Sequence, residues 1–209
     1  MHSKSKAAVE KDVIKACMDI ALHSVDHGCI FVIDLNSGAR KNYYTKVYGG
    51  LRTEEGKPLL ILNERDKYII KHLGTMDGAT ILDNKGELLE FGVTLKDHAT
   101  FFGHGKRHAF ALGTSKLKNI ICILASEEDR HVRVFRDGVC IADMDAKTHI
   151  PNLLRHKLVD IVDTPLSKIL SASKIALSAL DPPPIPAIAI ITGSNVILSD
   201  GFDRIKQYL

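Results

Sequence analysis

Two short apolar runs limit what this chain can fold into more than any other feature. CIFVID (Cys29–Asp34) and NIICILA (residues 119–125) are rich in β-branched residues, and NSG stops the first of them. Each reads as a short buried strand, so the fold is organised around a sheet. From Ala7 to about Leu22 apolar residues recur at helical spacing (Val9, Val13, Ile14, Cys17, Ile20, Ala21), which predicts an amphipathic helix. Asn63 is placed to cap a helix through Leu73, because its side-chain oxygen can accept from the free amides of a first turn.

ATILDNKGELLEFGVTL reads as a hairpin turning at DNKG, and VRVFRDGVCIAD as a second hairpin turning at Asp137-Gly138. Leu153 to Leu180 is helical in pattern with a break at Thr164-Pro165, DPPPIP is a stiff connector, and AIAII and NVIL are two strands joined by TGS. Helices and hairpins alternate along the whole length. The expected fold class is therefore α/β: a mixed central β-sheet flanked by helices, in a single layered domain over residues 1–209.

Composition bounds the function. Hydrophobic content of 45% and charged content of 25% are ordinary for a globular protein, and a net charge of +3 with interspersed signs leaves no nucleic-acid footprint. No run of 18 or more apolar residues is present and the N-terminus lacks a signal-type apolar stretch, so no membrane partner is expected. The four cysteines lack a CxxC spacing, which suits packed thiols in a reducing, cytoplasmic setting. None of the ten histidines is read as part of an HxxxH or HExxH metal pair. His98, His104 and His108 lack a matching cysteine or carboxylate pattern, so the histidines read as scattered surface and core residues rather than a zinc site.

Three stretches carry candidate chemistry. In FFGHGKRHAFALGTSK, Gly103 and Gly105 free the backbone just before a helix that starts near Lys106. Its unpaired first-turn amides and dipole make an anion site, to which Lys106, Arg107 and His108 add donors. A solvated surface turn explains the same residues taken alone. Asp77 follows a helix and opens a strand, a place for a carboxylate that holds a hard divalent cation or poises a hydroxyl; a plain Asp-Gly turn is the alternative. Ser126 and Glu127 follow the strand NIICIL at its C-terminal end, where loops line ligand crevices, or they form an acidic solubilising loop.

The order of these stretches resembles the diadenylate cyclase (DisA-type) domain family of nucleotidyltransferases over about Ile14 to Asp143. Asp77-Gly78-Ala79 match its D-G-A motif, Gly105, Arg107 and His108 its G-x-R-H-R motif, and Ser126-Glu127 its S-E pair. The chain departs at Ala109, where the family has a second arginine, and at Lys106, where threonine is common. The resemblance implies condensation of two ATP molecules into cyclic di-AMP and two pyrophosphates across a self-associated, face-to-face pair. It assigns catalysis to Asp77, Arg107 and His108, and a cation (Mg²⁺ or Mn²⁺) to Asp77 and Glu127. Nucleotide binding falls to Gly78, Ala79, Leu95, Gly105, Lys106, Arg107, His108 and Ser126. A non-catalytic sensor of ATP or cyclic di-AMP on the same fold is the second reading, supported only by Ala109. A nucleic-acid-binding protein is a weaker third, since no aromatic residues interleave with the bases.

Overall fold

The computed structural model describes residues 5–36, 42–48, 51–101, 103–147, 159, 190–192 and 195–197. The first helix, α1 (Lys6–Leu22), starts where Ser5 Oγ accepts from the Ala8 amide at 3.3 Å and buries Val13, Ile14, Cys17 and Ile20. Strand β1 (Cys29–Asp34) follows, with every residue buried. A strand of two residues, β2 (Tyr44–Thr45), has no counterpart in the sequence reading, since two residues are too few to show a period. Helix α2 (Glu64–Gly74) is capped as expected, with Asn63 Oδ1 accepting from the amides of Arg65 at 3.0 Å and Asp66 at 3.2 Å.

The two hairpins form as read. They are β3 (Ala79–Asp83) with β4 (Leu88–Leu95), and β6 (His131–Arg136) with β7 (Val139–Asp145). Between them lie α3 (Lys106–Ser115) and β5 (Ile120–Ala125). The final pair, β8 (Ile190–Thr192) and β9 (Asn195–Ile197), is antiparallel. The helical stretch read over Leu153 to Leu180 and the DPPPIP connector lie outside the described residues, apart from helical Val159.

The strands form one sheet in the order β2-β4-β3-β1-β5-β6-β7-β8-β9. It is mixed, as expected: β1 runs parallel to β3 and antiparallel to β5, and β7 runs parallel to β8. Packing on both faces explains why β1 is apolar from Cys29 to Ile33. Phe31 and Ile33 pack with α1 and α2 on one face, while Ile30 and Val32 pack with Ala111 and Leu112 of α3 on the other. A central strand covered on both faces cannot show the in–out alternation of a half-exposed one. Each such large apolar side chain contributes on the order of 1.5–3 kcal/mol by leaving water. This layering puts the start of β3, the end of β4 and the start of α3 on one side of the molecule.

Candidate active site

The site begins at the corner between α2 and β3. Gly78 has φ +101°, and a Cβ there would lie 2.6 Å from the carbonyl carbon of Gly92 and 2.9 Å from the Val93 nitrogen. Only glycine lets the chain pass so close to β4. Asp77 stays exposed, and its Oδ1 accepts from the Gly78 amide at 3.0 Å. Ala79 is buried as the first residue of β3, and Leu95 is buried at the end of β4 opposite Tyr44.

Helix α3 supplies the opposite wall. Gly105 is its N-cap and no side chain caps it, so the helix start keeps donors for an anion. Lys106 and Arg107 line a cleft of about 310 Å³ together with Asp77, Gly78, Ala79 and Leu95. The carboxylate corner and the cationic helix start thus share one cavity. Arg107 Nη1 stands 3.6 Å from Glu127 Oε1 and lies where a Cβ on Gly28 would fall, at 2.2 Å. Gly28, at φ +64°, is a residue the sequence reading missed; it leaves the room that the guanidinium fills.

Gly105, His108, Ser126 and Glu127 do not line the cleft. His108 is 2% exposed, stacks parallel to Phe101 at 5.6 Å and has Nε2 2.7 Å from Arg133 Nη1. Burial first, then the charge of Arg133, pushes its pKa down to about 4, so the imidazole is neutral near pH 7. Arg133 is the hub of this network. Its Nη2 donates to Asp129 Oδ2 at 2.6 Å and its Nε to Asp143 Oδ2 at 3.0 Å, while His131 Nδ1 lies 2.6 Å from Asp143 Oδ1. Burial alone would raise Asp129, but the hydrogen bond and charge of Arg133, with the His131 amide donating to its Oδ1, hold it well below the usual carboxylate range. Ser126 is buried beside it, and the carboxylate of Glu128 lies over the helix start, with Oε1 2.8 Å from where a Gly105 Cβ would be.

Two of the ten histidines, His104 and His108, are not scattered, which corrects the sequence reading for that pair. His104, His108 and Asp129 offer ligand atoms that all lie within 4.8 Å of one another, a group able to hold a metal ion. The four-residue spacing from His104 to His108 was the available signal; the carboxylate partner came from the loop after β5, which no local pattern could pair with them. Arg133 competes for the same lone pairs of His108 and Asp129, so an ion-pair network fits the group better than a cation. The exposed carboxylates of Asp77 and Glu127 are hard oxygen donors of the kind Mg²⁺ and Mn²⁺ take.

A glycine corner bearing a carboxylate, set across a cleft from a cationic helix start, is an arrangement with the donors that a phosphate takes. The chain belongs to the family described as "DisA bacterial checkpoint controller nucleotide-binding" (DAC), whose model matches residues 15–140. It is 30% identical over 146 residues to a diadenylate cyclase of Methanocaldococcus jannaschii, a match covering 67% of this chain and 46% of that protein. The chain therefore spans about half the length of that curated relative. Among solved structures it is similar to a cysteine double mutant of DacA from Staphylococcus aureus, at 19% identity and a TM-score of 0.45 over 72% of this chain and 94% of that one. A hypothetical membrane-spanning protein from Bacillus cereus is similar at 15% identity and a TM-score of 0.45, over 59% of each chain. Among the described residues no helix is long and apolar enough to cross a membrane.

Proposed function

We propose that this chain is a cytoplasmic diadenylate cyclase that joins two ATP molecules into cyclic di-AMP and releases two pyrophosphates. The observation that carries the reading is the shared cleft, in which Asp77-Gly78-Ala79 faces Lys106-Arg107. In the reaction each 3′-oxygen attacks the α-phosphorus of the other nucleotide. One P–O bond forms as the bond to pyrophosphate breaks, and the hydroxyl proton leaves towards the carboxylate of Asp77. Catalysis of this kind is mostly positioning and neutralisation of charge.

Gly78 lets the nucleotide approach the main chain, and the backbone at Leu95 and Ala79 meets the adenine. Lys106, Arg107 and the helix start at Gly105 hold the triphosphate. His108 acts from behind, through Arg133 and Asp129, to fix the first turn of α3, and the backbone of Ser126, bonded to His131 and Arg130, fixes the loop that carries Glu127. Asp77 and Glu127 are the residues that would hold a divalent cation, Mg²⁺ or Mn²⁺, which when bound neutralises phosphate oxygens. A single cleft holding one ATP cannot close the ring, so two copies must meet face to face.

The test is to incubate the full chain with ATP and either Mn²⁺ or Mg²⁺ and to detect cyclic di-AMP by mass, with activity per molecule rising with protein concentration. Asp77→Asn keeps the shape and removes the charge, so it should melt like the parent and lose turnover by at least about 100-fold. ATP binding without product under either metal at any concentration would favour the sensor reading instead.

A further inference from the structure

Beyond the motif residues, the same cleft contains an aromatic surface that nothing so far assigns. We infer that Tyr48 is the stacking platform for the nucleobase, an inference that rests on the nucleotide reading of the cleft and adds a base subsite to it. The cleft is chemically divided: Asp77, Lys106 and Arg107 make its charged wall, and Val47, Tyr48 and Val93 belong to its apolar part. A nucleoside triphosphate has the same division, with a flat apolar base at one end and four negative charges at the other.

Tyr48 is 47% exposed and lines the cleft, so part of its ring is open to a ligand there. Its inner face lies parallel to Phe91, with centroids 5.6 Å apart and planes 6° apart. Its edge rests on Gly92, where a Cβ would meet Tyr48 Cδ2 at 2.5 Å and where φ is +58°. The ring is therefore seated in a place only glycine can leave open, and the surface not covered by Phe91 and Gly92 faces the cleft.

The segment that carries Tyr48 is strapped to β4. Tyr44 and Thr45 pair with Leu95 and Thr94, the Lys96 amide donates to the Tyr43 carbonyl at 2.9 Å, and Lys46 forms an ion pair with the buried Glu90. That hydrogen bond to Glu90 raises the Lys46 pKa, so the strap keeps its charge at neutral pH. A platform held in advance loses little side-chain freedom when a base lands on it. Stacking uses the π-face rather than a hydrogen-bond pattern, so it favours the larger purines over pyrimidines.

The test compares the full chain with Tyr48→Ala and Tyr48→Phe, using titration calorimetry with ATP, UTP and inorganic tripolyphosphate as separate ligands. Tyr48→Ala should weaken ATP binding roughly 5- to 150-fold, the range of one base–aromatic stack, and narrow the preference for ATP over UTP. It should leave tripolyphosphate affinity within about twofold, because the cationic wall is intact, and Tyr48→Phe should bind ATP like the parent. If the parent binds ATP and Tyr48→Ala binds it equally well, the inference falls while the cyclase reading stands. The same holds if Tyr48→Ala changes only self-association measured by sedimentation, since the ring is then an interface residue. A folded parent that binds no ATP overturns both.

Discussion

Replacing Arg133 with methionine tests the network behind the helix start more sharply than any change in the cleft. The guanidinium is 5% exposed and holds three partners at 2.6, 2.7 and 3.0 Å. Methionine fills much of the volume but leaves Asp129 and Asp143 without their cation in a partly buried place. Breaking such a pair from one side costs about 3–5 kcal/mol. The two carboxylates keep 34% and 21% of their side-chain exposure, so water screens part of the loss and the lower end, about 3 kcal/mol, applies. At roughly 2–4 °C per kcal/mol for a chain of this size, the melting temperature should fall by about 6–12 °C.

The pH dependence gives a second readout. Asp129 is held low in the folded parent, so its contribution is present above the ordinary aspartate value and is lost as pH falls through the depressed one. Without Arg133 the same burial raises Asp129, and the variant loses nothing comparable on acidification. The deficit measured by urea unfolding should therefore be largest at pH 7 and shrink as pH falls below the ordinary aspartate value of about 4. A loss below about 1 kcal/mol, or a deficit flat with pH, would refute the hub role assigned to Arg133.

Two further outcomes follow from the same geometry. His108 is pushed down to about 4 in the folded chain, so the folded state binds fewer protons than the unfolded one; its stabilising contribution is complete above pH 6.5 and lost between there and about 4. With Arg133, His104, Asp129 and Asp143 all facing the ring, the loss should be on the order of 2 kcal/mol and should flatten in His108→Gln, read as urea midpoints at pH 7, 5.5 and 4.5. Gly78→Ala places a Cβ within 3 Å of the β4 backbone at φ +101°, so it should destabilise by at least about 2 kcal/mol in thermal melts, against less than about 0.5 kcal/mol for an exposed control such as Glu54→Gln.

What the sequence made legible, and what it hid, divides by distance along the chain. The runs CIFVID and IICILA, the Asn63 cap and both hairpin turns are local features, and each appears where the pattern put it. The convergence of Asp77 with Lys106 and Arg107 was legible only through motif order, because nothing in either stretch refers to the other. Arg133 was invisible. An arginine alternating with Val132 and Val134 in a hairpin strand reads as an outward residue, whereas β6 turns it inward under α3, where it is 4% exposed. Tyr48 was missed for a related reason: the two-residue β2 that fixes it is defined by its partner strand rather than by its own sequence.

The substitution of alanine for arginine at position 109 is best understood against this buried hub. Helix α3 opens with Lys106 and Arg107 facing the cleft, and Arg133 brings a third cation to the far side of the same turn, already neutralised by Asp129 and Asp143. Arg133 can therefore fix the turn without adding net charge to the cleft. The acids that face the cationic turn behave differently. Glu127 stands 3.6 Å from Arg107, with the side chains 52% and 39% exposed, and a pair so open contributes roughly 0–1 kcal/mol. Glu128 lies over the helix start at the place an incoming phosphate would want. Glu127 is therefore held only loosely by Arg107, which suits the divalent cation that the cyclase reading assigns to it. The strong ion pairs are buried behind the helix, and the weak one, Arg107 with Glu127, is open to solvent. That is the division expected if the turn must stay fixed while its anion is exchanged.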